Sequence, residues 1–375
     1  MEGSSLEEID YRKIQDPEIV ILAAAKMIQD GTIKNLDMIY GKPDQYKYLR
    51  SLLPMFNDQL SLRVSVCDWR EFKVEQNLQK TILFGPMWDY SFHKVEVENL
   101  MQQLKEQKAR TVNPVQFVLW NLNKQYLKQM EDFGLTMPES VFIVKDFDGK
   151  ISQALDDFKA RGDQIVVAKG LQDAGGSSFM KFNIELQSKD EIIATCKQIH
   201  ENYSGLIIQE YLNSLLDFGE FGFVCFNLEK AYQYIKVPGR TDSRVQKQYG
   251  GRFFQFNFDD IGTVLESIRS SHRPDFKLNE EHVKQIQELF PAVIDQVKAF
   301  ISCQNVGLPA ILRIDFTIKV DKNGKIQILI MEIEGFEPHL ELQERTDKYP
   351  EVNMVRRFCE FIKEQHENFN RKSDL

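Results

Sequence analysis

Three carboxylates lie close together in the C-terminal part of the sequence, within two runs of mostly apolar residues. Asp315 lies in ILRIDFTIKV, and Glu332 and Glu334 lie in IQILIMEIEGF. Both runs alternate as strands do, so Glu332 and Glu334 share one face of their strand. Buried carboxylates need a partner, and a set of oxygen ligands is typical of Mg²⁺. We therefore predict a Mg²⁺ site at these residues; solvated charges on a half-exposed hairpin are the alternative.

The segment between the two runs predicts how they pair. Asn323-Gly324 is typical of a two-residue hairpin turn. Counting outward from such a turn places Asp315 opposite Glu332 and Arg313 opposite Glu334. Two facing carboxylates repel each other unless a divalent cation lies between them. A three-residue turn with a bulge is the alternative, and it would shift this register by one residue.

A second segment with a chemical signature is VVAKGLQDAGGSSFMKF. Lys169 ends an apolar strand, and Gly175 and Gly176 lie in the turn that follows, just before Ser177. Glycines allow successive backbone N–H groups to turn toward an anion, and a lysine against a cavity needs an anionic partner. The patterns of a P-loop and of a Rossmann fingerprint are absent. We predict a flap over a triphosphate, with an ordinary hairpin loop as the alternative.

The strand IIQEYL carries a weaker signal. A strand edge with free backbone groups beside a carboxylate can pair with an adenine edge, and a nearby acid can bind ribose hydroxyls. A plain core strand followed by solvated acids is the alternative. The candidate residues are Gln209, Glu210, Tyr211 and Leu212 in the strand, and Asp217 and Glu220 after it.

The segment from Lys236 to Arg252, KVPGRTDSRVQKQYGGR, is basic within an otherwise acidic chain. It contains five basic residues, with Asp242 as the single acid. Arginine is favoured for bidentate contacts with carboxylate and phosphate groups. We predict contact with a substrate carboxylate or with the phosphoryl group in transfer; a solvated basic loop is the alternative.

The composition argues against several classes of protein. The chain has 375 residues, of which 42% are hydrophobic and 27% charged, and a net charge of −9. An acidic chain is a poor partner for nucleic acid or an anionic membrane, and no apolar run reaches the length of a membrane helix. The five cysteines show no C-x-x-C spacing, and the first residues are unlike a signal or transit peptide. We therefore expect a cytoplasmic protein with no nucleic acid or membrane as a partner.

Residues 1–112 show helical and strand patterns in alternation, which is typical of a small α/β domain with a parallel sheet. The first of these patterns is an amphipathic helix at Glu18–Gln29. A boundary is predicted near Asn113-Pro114, where the chain is expected to break. The other predicted elements are strands at Leu36–Tyr40, Leu62–Cys67 and Thr81–Phe84 and a helix at Val95–Arg110.

The remainder of the chain divides into two further parts. Residues 113–213 begin with a helical connector and continue as a compact unit of strands and helices. Residues 214–375 contain long antiparallel strands, one long helix at Asn279–Ser302, the acidic hairpin, and an amphipathic helix beyond Pro350. The sequence therefore predicts three domains, α/β in class and in part α+β.

Taken in order, these segments resemble the motifs of the ATP-grasp superfamily. The matching segments are WNLNKQYL, VVAKG, AGGSS, IIQEYL, GEFGFVCF, and RIDF followed by MEIEGFEPHL. The resemblance extends from about Thr111 to Leu340, which is more than half of the chain. GPMWDYSFH, NPVQFVLWNLNKQYL and QYGG resemble the branch that includes glutathione-synthetase-type and D-cycloserine-synthetase-like ligases. The implied fold has an N-terminal α/β pre-ATP-grasp domain, followed by two α+β subdomains that enclose the nucleotide.

The resemblance implies that ATP is a cofactor and assigns its phosphates to five residues. Lys124, in WNLNKQYL, and Lys169 would contact the phosphates directly. Gly175, Gly176 and Ser177 would close over them as a flap.

The resemblance also places adenine at Gln209–Leu212 and the ribose beside Asp217. Asp315, Glu332 and Glu334 would hold two Mg²⁺ ions that bridge the phosphates. Many ATP-grasp enzymes have asparagine at the third of these positions, where this chain has glutamate. The extra charge bears on the choice of metal, with Mn²⁺ as the alternative.

The function implied by the resemblance is that of an ATP-dependent carboxylate–amine ligase. ATP would phosphorylate a small-molecule carboxylate to an acylphosphate, and an amine would then attack it to form an amide. This chemistry requires positioning and charge neutralisation rather than a protein nucleophile. Arg252 or Arg313 is the candidate to stabilise the acylphosphate. The alternatives are an ATP-binding regulatory or assembly protein without turnover and a small-molecule kinase.

Overall fold

The computed structural model forms two compact units. Unit 1 consists of Met1–Val118, Pro309–Ile311 and Gly335–Leu375, and unit 2 consists of Leu119–Leu308 and Leu312–Glu334. The division into three domains at residues 112 and 213 remains a prediction. The residues that the structure describes are 14–24, 52–145, 147–239, 244–245, 250–272, 279–321, 323–336, 338, 340 and 354–373.

The strands and α-helices of these described residues follow one another along the chain in a mixed order. They are β1 (Ile19–Ala23), β2 (Val64–Asp68), β3 (Thr81–Phe84), α1 (Lys94–Glu106), β4 (Arg110–Thr111), α2 (Val115–Asn121), α3 (Tyr126–Asp132), β5 (Ser140–Ile143), α4 (Phe147–Ala160), β6 (Ile165–Gly170), β7 (Met180–Asn183), α5 (Lys189–Tyr203), β8 (Leu206–Glu210), α6 (Ser214–Phe218), β9 (Glu220–Phe226), β10 (Glu229–Val237), β11 (Arg252–Gln255), α7 (Ile261–His272), α8 (Glu280–Cys303), β12 (Ile311–Val320), β13 (Ile326–Glu334) and α9 (Met354–Ser373).

Unit 1 contains a four-stranded sheet in the order β2-β1-β3-β4. Strand β1 pairs in parallel with both β2 and β3, and β3 pairs in parallel with β4. The predicted parallel sheet is therefore confirmed, as are the strand at Thr81–Phe84 and, within a few residues, the helix that follows it.

The helix predicted at Glu18–Gln29 is wrong over its described part. Ile19–Ala23 forms strand β1, and all five of its side chains are buried. A strand in the middle of a parallel sheet is covered on both faces, so its sequence is a continuous apolar run rather than an alternating one. Such a short run has no period that separates a strand from a buried helix. The strand predicted at Leu36–Tyr40 lies outside the described residues.

Helix α9 carries a buried histidine within unit 1. His366 is 6% exposed, and its Nδ1 lies 2.9 Å from Thr81 Oγ1. Its Nε2 lies 3.1 Å from Asn370 Nδ2 and 4.0 Å from the carboxylate of Glu18. Burial lowers the pKa of His366; Glu18 opposes this shift, and Arg110 adds to it.

We expect this histidine to make the folded protein less stable in acid. Because the pKa is lower in the folded state, the unfolded chain binds more protons as the pH falls through the ordinary histidine range, and the free energy of unfolding falls with it. The variant His366→Gln lacks this contribution, so its free energy of unfolding should decrease less steeply between about pH 7.5 and 5. Urea denaturation at several pH values measures the effect, and parallel curves for the two proteins would contradict it.

Unit 2 contains two sheets. The first has the order β5-β8-β6-β7 and is antiparallel throughout. The second has the order β11-β10-β9-β12-β13 and consists of the long strands predicted after residue 214. Within it, β9 and β10, β10 and β11, and β12 and β13 pair in antiparallel fashion.

Aromatic side chains fix the acidic hairpin in the core of unit 2. The ring of Phe316, on β12, lies 4.7 Å from that of Phe223 on β9 and 4.9 Å from that of Phe290 on α8, measured between centroids. Phe221 stacks on Phe316 at 5.4 Å. These rings are fully buried, and aromatic pairs of this kind favour one geometry over others. The opposite face of β12 is thereby directed toward the charged residues of the site.

Helix α8 begins where the sequence predicts, because Asn279 caps it: its Oδ1 accepts a hydrogen bond from His282 N–H at 2.8 Å. Helix α7 was not predicted. Gly262 near its start lowers the helix propensity of that segment. The glycine nevertheless has a packing reason, since a Cβ there would lie 3.3 Å from Val283 of α8. Among the described helices, none is long and apolar enough to cross a membrane.

Candidate active site

The acidic hairpin is formed by β12 and β13. Asp315 pairs with Glu332 across the ladder, and Arg313 pairs with Glu334. Both pairings are confirmed as predicted. One carboxylate oxygen from each of Asp315, Glu332 and Glu334 lies within 4.8 Å of the other two. The hairpin therefore brings the three predicted metal ligands to one point.

The turn of the hairpin differs from the prediction. Asp321 N–H donates to the carbonyl of Lys325 at 3.0 Å, which leaves three residues in the turn instead of two. Gly324 has a φ of +79°, a conformation that glycine adopts without strain. A bulge then follows, because Phe316 pairs with Ile330 while Asp315 pairs with Glu332. The extra residue in the turn and the extra residue in the bulge compensate, so the register at the carboxylates is the predicted one.

Arg313 is bound to two of the three carboxylates. Its Nε lies 2.9 Å from Asp315 Oδ1, and one of its terminal nitrogens lies 2.6 Å from Asp315 Oδ2 and 2.6 Å from Glu334 Oε1. Burial raises the pKa of Asp315, but Arg313 and Lys236 outweigh it and hold that pKa below its usual range. For Glu334, burial prevails over Arg313 and raises the pKa to about 7.

A buried lysine and a further acid complete this side of the site. Lys236 is 6% exposed, and its Nζ lies 2.5 Å from Glu220 Oε1 and 2.7 Å from Asp315 Oδ2. Burial and Arg313 disfavour the charged form of Lys236, but Asp315 and Glu220 outweigh them and raise its pKa. Burial raises the pKa of Glu220 despite the lysine beside it. The sequence places Lys236 only in a basic segment and Glu220 only among the acids after β8, so this pair was missed.

Lys124 lies on the other side, in the connection between α2 and α3. Its Nζ is 2.7 Å from Glu332 Oε1 and 2.8 Å from the backbone carbonyl of Asp173. Burial disfavours the ammonium form, yet Glu332 and Asp173 raise the pKa of Lys124 above its usual value. This lysine therefore joins the hairpin to the segment that contains the glycine-rich flap.

Lys169, on β6, has a different environment. No hydrogen bond or ion pair is present between its ammonium and the residues that the structure describes. Burial lowers the pKa of Lys169; Glu332 opposes this shift, and the neighbouring charge of Lys124 adds to it. The half-buried ammonium of Lys169 is poorly solvated, so an anion that binds beside it would stabilise its charged form.

The flap adopts a tight turn between β6 and β7. Gly175 and Gly176 have φ values of +62° and +69°, which L side chains rarely adopt. Ser177 Oγ donates to the Asp173 carboxylate at 2.5 Å and lies 3.1 Å from Tyr203 Oη. The predicted flap residues thus lie together in one turn of the loop that connects β6, which carries Lys169, to β7.

The residues predicted to bind adenine lie at the end of β8. Gln209 is buried and donates to Ser140 Oγ at 2.7 Å. The Glu210 carboxylate accepts from Lys319 Nζ at 2.7 Å and from Glu139 N–H at 3.1 Å. These contacts hold both side chains within the protein, so backbone groups are the better candidates for adenine.

Further candidates follow β8. The Tyr211 ring lies 3.8 Å from the ammonium of Lys181, and Leu212 is buried. Asp217 lies in the short helix α6. Arg252, at the start of β11, is exposed, and its guanidinium lies 5.6 Å from the Phe254 ring. No ion pair links Arg252 to the carboxylates of the hairpin in the described part of the chain.

Comparison with known proteins finds a likeness in structure but none in sequence. No family model matches the chain. No curated protein matches it either. Solved structures do match, over nearly the whole length of both chains.

Three of these structures illustrate the likeness. D-cycloserine synthetase DcsG is 16% identical, with a TM-score of 0.63 over 93% of this chain and 99% of the other. D-alanine–D-alanine ligase from Bacillus anthracis is 12% identical, with a TM-score of 0.58 over 95% and 99%. The ATP-grasp ligase PsnB, complexed with a minimal precursor, is 14% identical, with a TM-score of 0.52 over 93% and 100%. The chain has the ATP-grasp fold.

This likeness confirms the predicted fold class, an ATP-grasp fold. A D-cycloserine synthetase is among the similar structures, whereas the glutathione-synthetase-type branch remains a prediction. At these identities the likeness concerns the fold, and the roles of individual residues depend on the site itself.

Proposed function

We propose that this chain is an ATP-dependent carboxylate–amine ligase that works through an acylphosphate and releases ADP and phosphate. The proposal rests on one observation: three carboxylates of one hairpin lie close to lysines from two other segments of the chain. Lys124 pairs with Glu332, and Lys169 lies near enough to Glu332 for that charge to affect its pKa. Such a set of groups suits a nucleotide triphosphate with its metal ions.

The charges of the site support this assignment. When all are ionised, the cluster has four negative and four positive side chains, and Asp173, which acts on both Lys124 and Lys169, adds one further negative charge. A complex of ATP with two divalent cations is itself neutral and would leave this total unchanged. Mg²⁺ held by Asp315, Glu332 and Glu334 would shield the phosphates from these acids. The negative members are Asp315, Glu332, Glu334 and Glu220, and the positive ones are Lys124, Lys169, Lys236 and Arg313.

The chain's own residues would bind and orient the reactants. Lys169 would contact a phosphate through an ammonium that has no protein partner among the described residues. Arg313 is bound to Asp315 and Glu334, so we assign it the role of orienting these carboxylates. Arg252, which is exposed, then remains the candidate for contact with the acylphosphate.

The reaction proposed has two steps. An oxygen of the substrate carboxylate bonds to the γ-phosphorus while the bond from that phosphorus to the oxygen of ADP breaks. The amine nitrogen then bonds to the acyl carbon, phosphate leaves with the electron pair of the broken bond, and the nitrogen loses a proton. The names of similar proteins suggest D-amino acids as the first substrates to examine.

The test is ADP formation with panels of carboxylates and amines, including D- and L-amino acids and short peptides. We expect ADP release to require both a carboxylate and an amine. Hydroxylamine should replace the amine and yield a hydroxamate, because it captures an acylphosphate. Release with a single substrate and a stable phosphorylated product would instead identify a kinase. Tight ATP binding with no release under any mixture would identify a binding protein. The cytoplasmic location and the absence of nucleic acid and membrane partners remain predictions.

A further inference from the structure

Asp173, at the base of the flap, forms hydrogen bonds with both serines at the end of the flap, Ser177 and Ser178. Asp173 is 5% exposed. Its Oδ1 accepts the hydroxyl of Ser177 at 2.5 Å, and its Oδ2 accepts the hydroxyl of Ser178 at 2.7 Å. Oδ2 also accepts the backbone N–H of Ser178 at 3.2 Å. Both oxygens of this carboxylate therefore point back into the flap and bind its own donors.

The same hydrogen bonds connect the flap to the strand that carries Lys169. Ser178 Oγ, which donates to Asp173, accepts the backbone N–H of Gly170 at 2.7 Å. Gly170 is the last residue of β6 and follows Lys169 directly. The chain of contacts from Asp173 through Ser178 to Gly170 thus sets where the flap begins relative to the lysine.

The backbone of Asp173 makes the corresponding connection to the other lysine. Its carbonyl accepts from Lys124 Nζ at 2.8 Å, and Lys124 N–H donates to the Leu171 carbonyl at 2.9 Å. Lys124 in turn pairs with Glu332 of the hairpin. Asp173 is consequently hydrogen-bonded to Lys124, which pairs with the acidic hairpin, and is connected through Ser178 to Gly170, the residue after Lys169.

We propose that Asp173 is a positioning residue that holds the glycine-rich flap in the conformation that receives phosphates. This inference rests on the proposed function, since it concerns the same nucleotide. An acid is at first sight out of place in a loop that should bind an anion. Its presence is explained by the three hydrogen bonds that its carboxylate accepts, from the hydroxyls of Ser177 and Ser178 and from the Ser178 N–H. No neutral side chain of this size offers the same number of acceptors in this geometry.

The physical consequence is preorganisation. Glycine has the largest conformational freedom of any residue, so ordering the left-handed turn at Gly175 and Gly176 carries a large entropic cost. With Asp173 in place, this freedom is lost when the protein folds. Without it, the flap must be ordered when the nucleotide binds, and that cost reduces the affinity.

The experiment compares wild type, Asp173→Ala, Asp173→Asn and the control Asp148→Asn. Asp148 is a surface acid of unit 2, with a side chain 64% exposed. Hydrogen exchange of the nucleotide-free proteins is measured over residues 170–180, together with binding of ATP with Mg²⁺ and of adenosine. We expect faster exchange confined to the flap in Asp173→Ala and about tenfold weaker ATP binding, with adenosine affinity unchanged. Asp173→Asn should lie between, and Asp148→Asn should match the wild type.

The outcomes separate this inference from the proposed function. Unchanged flap exchange in Asp173→Ala would overturn the inference whether or not the protein binds ATP. Equal ATP affinities for wild type and Asp173→Ala would overturn it as well. A folded wild type that binds no ATP would instead overturn the proposed function, while the exchange data would still test how the flap is held. A loss of adenosine and ATP binding in equal measure would assign Asp173 a purely structural role and would also count against the inference.

Discussion

Replacing Lys236 by methionine is expected to lower the free energy of unfolding by about 3–5 kcal/mol, the cost of leaving a buried charge without its partner. The Lys236 ammonium lies between Glu220 and Asp315, and its side chain is 7% exposed. Asp315 keeps Arg313 in the variant, so Glu220 is the acid that loses the cation beside it. Urea denaturation of wild type and Lys236→Met measures the change.

Two further variants establish the cause. Lys319→Met removes an ion pair of similar length, 2.7 Å to Glu210, from a lysine that is 38% exposed. Because this pair is only partly buried and Glu210 also accepts from Glu139 N–H, the variant should cost no more than about 1–2 kcal/mol. Adding Glu220→Gln to Lys236→Met should recover roughly half of the lost stability, since the orphaned charge is then removed. Equal losses in Lys236→Met and Lys319→Met would contradict the presence of a buried, mutually dependent cluster.

Replacing Lys169 by methionine is expected to have opposite effects on binding and on stability. ATP affinity should fall by about 30- to 100-fold, in keeping with the loss of one charge-assisted contact of roughly 2–3 kcal/mol. The folded protein should be equally stable or more stable by about 1 kcal/mol, since a half-buried charge without an ion-pair partner among the described residues is removed. Burial disfavours the lysine charge and lowers its pKa, and no described residue pairs with its ammonium. A residue that costs stability and benefits function is expected at a binding site.

Calorimetric titration with ATP and Mg²⁺, together with urea denaturation, measures both effects. The control is Lys197→Met, because Lys197 is 45% exposed and pairs only with the exposed Asp148 among the ion pairs described. It should leave affinity and stability near those of the wild type. A marked loss of stability in Lys169→Met would show that the lysine has a structural partner and would contradict its assignment to a phosphate.

The pairing of the acidic hairpin could be predicted from the sequence, because the alternation of its apolar residues agrees with the fold. Alternation together with a two-residue turn at Asn323-Gly324 predicted that Asp315 faces Glu332, and this pairing is confirmed. The prediction succeeded although the turn has one residue more than expected, since the bulge beyond Phe316 compensates for it. Turn length and bulges depend on packing of the whole sheet, and sequence pattern alone does not specify them.

The pairing of Lys236 with Glu220 could not be predicted in this way. The two residues face each other across β9 and β10, in a register that depends on a bulge near Lys230. The turn between these strands has positive φ at Asn227 and Leu228, +50° and +61°. Leucine rarely adopts such a conformation, so no hairpin signal is visible in the sequence there. The hydrogen bonds of Asp173 were missed for a similar reason, because they form only within the folded turn.

The wrong helix at Glu18–Gln29 illustrates the other limit. A central parallel strand and a buried helix can have the same short apolar run, and only the neighbouring strands decide between them. The second unit was predicted better, because its helices have amphipathic patterns and capping residues such as Ser188 of α5 and Asn279 of α8.

Calorimetry of ATP binding with and without Mg²⁺, for the wild type and for Asp315→Asn/Glu332→Gln, tests whether the hairpin is a metal site for a nucleotide. We expect the wild type to bind ATP only when Mg²⁺ is present, and the affinity to fall at least about 100-fold in the double variant. Circular dichroism of both proteins serves to confirm that they are folded. Binding of ATP to the folded wild type without any dependence on Mg²⁺, or equal affinity in the double variant, would show that the hairpin is not the metal site of a nucleotide-dependent ligase.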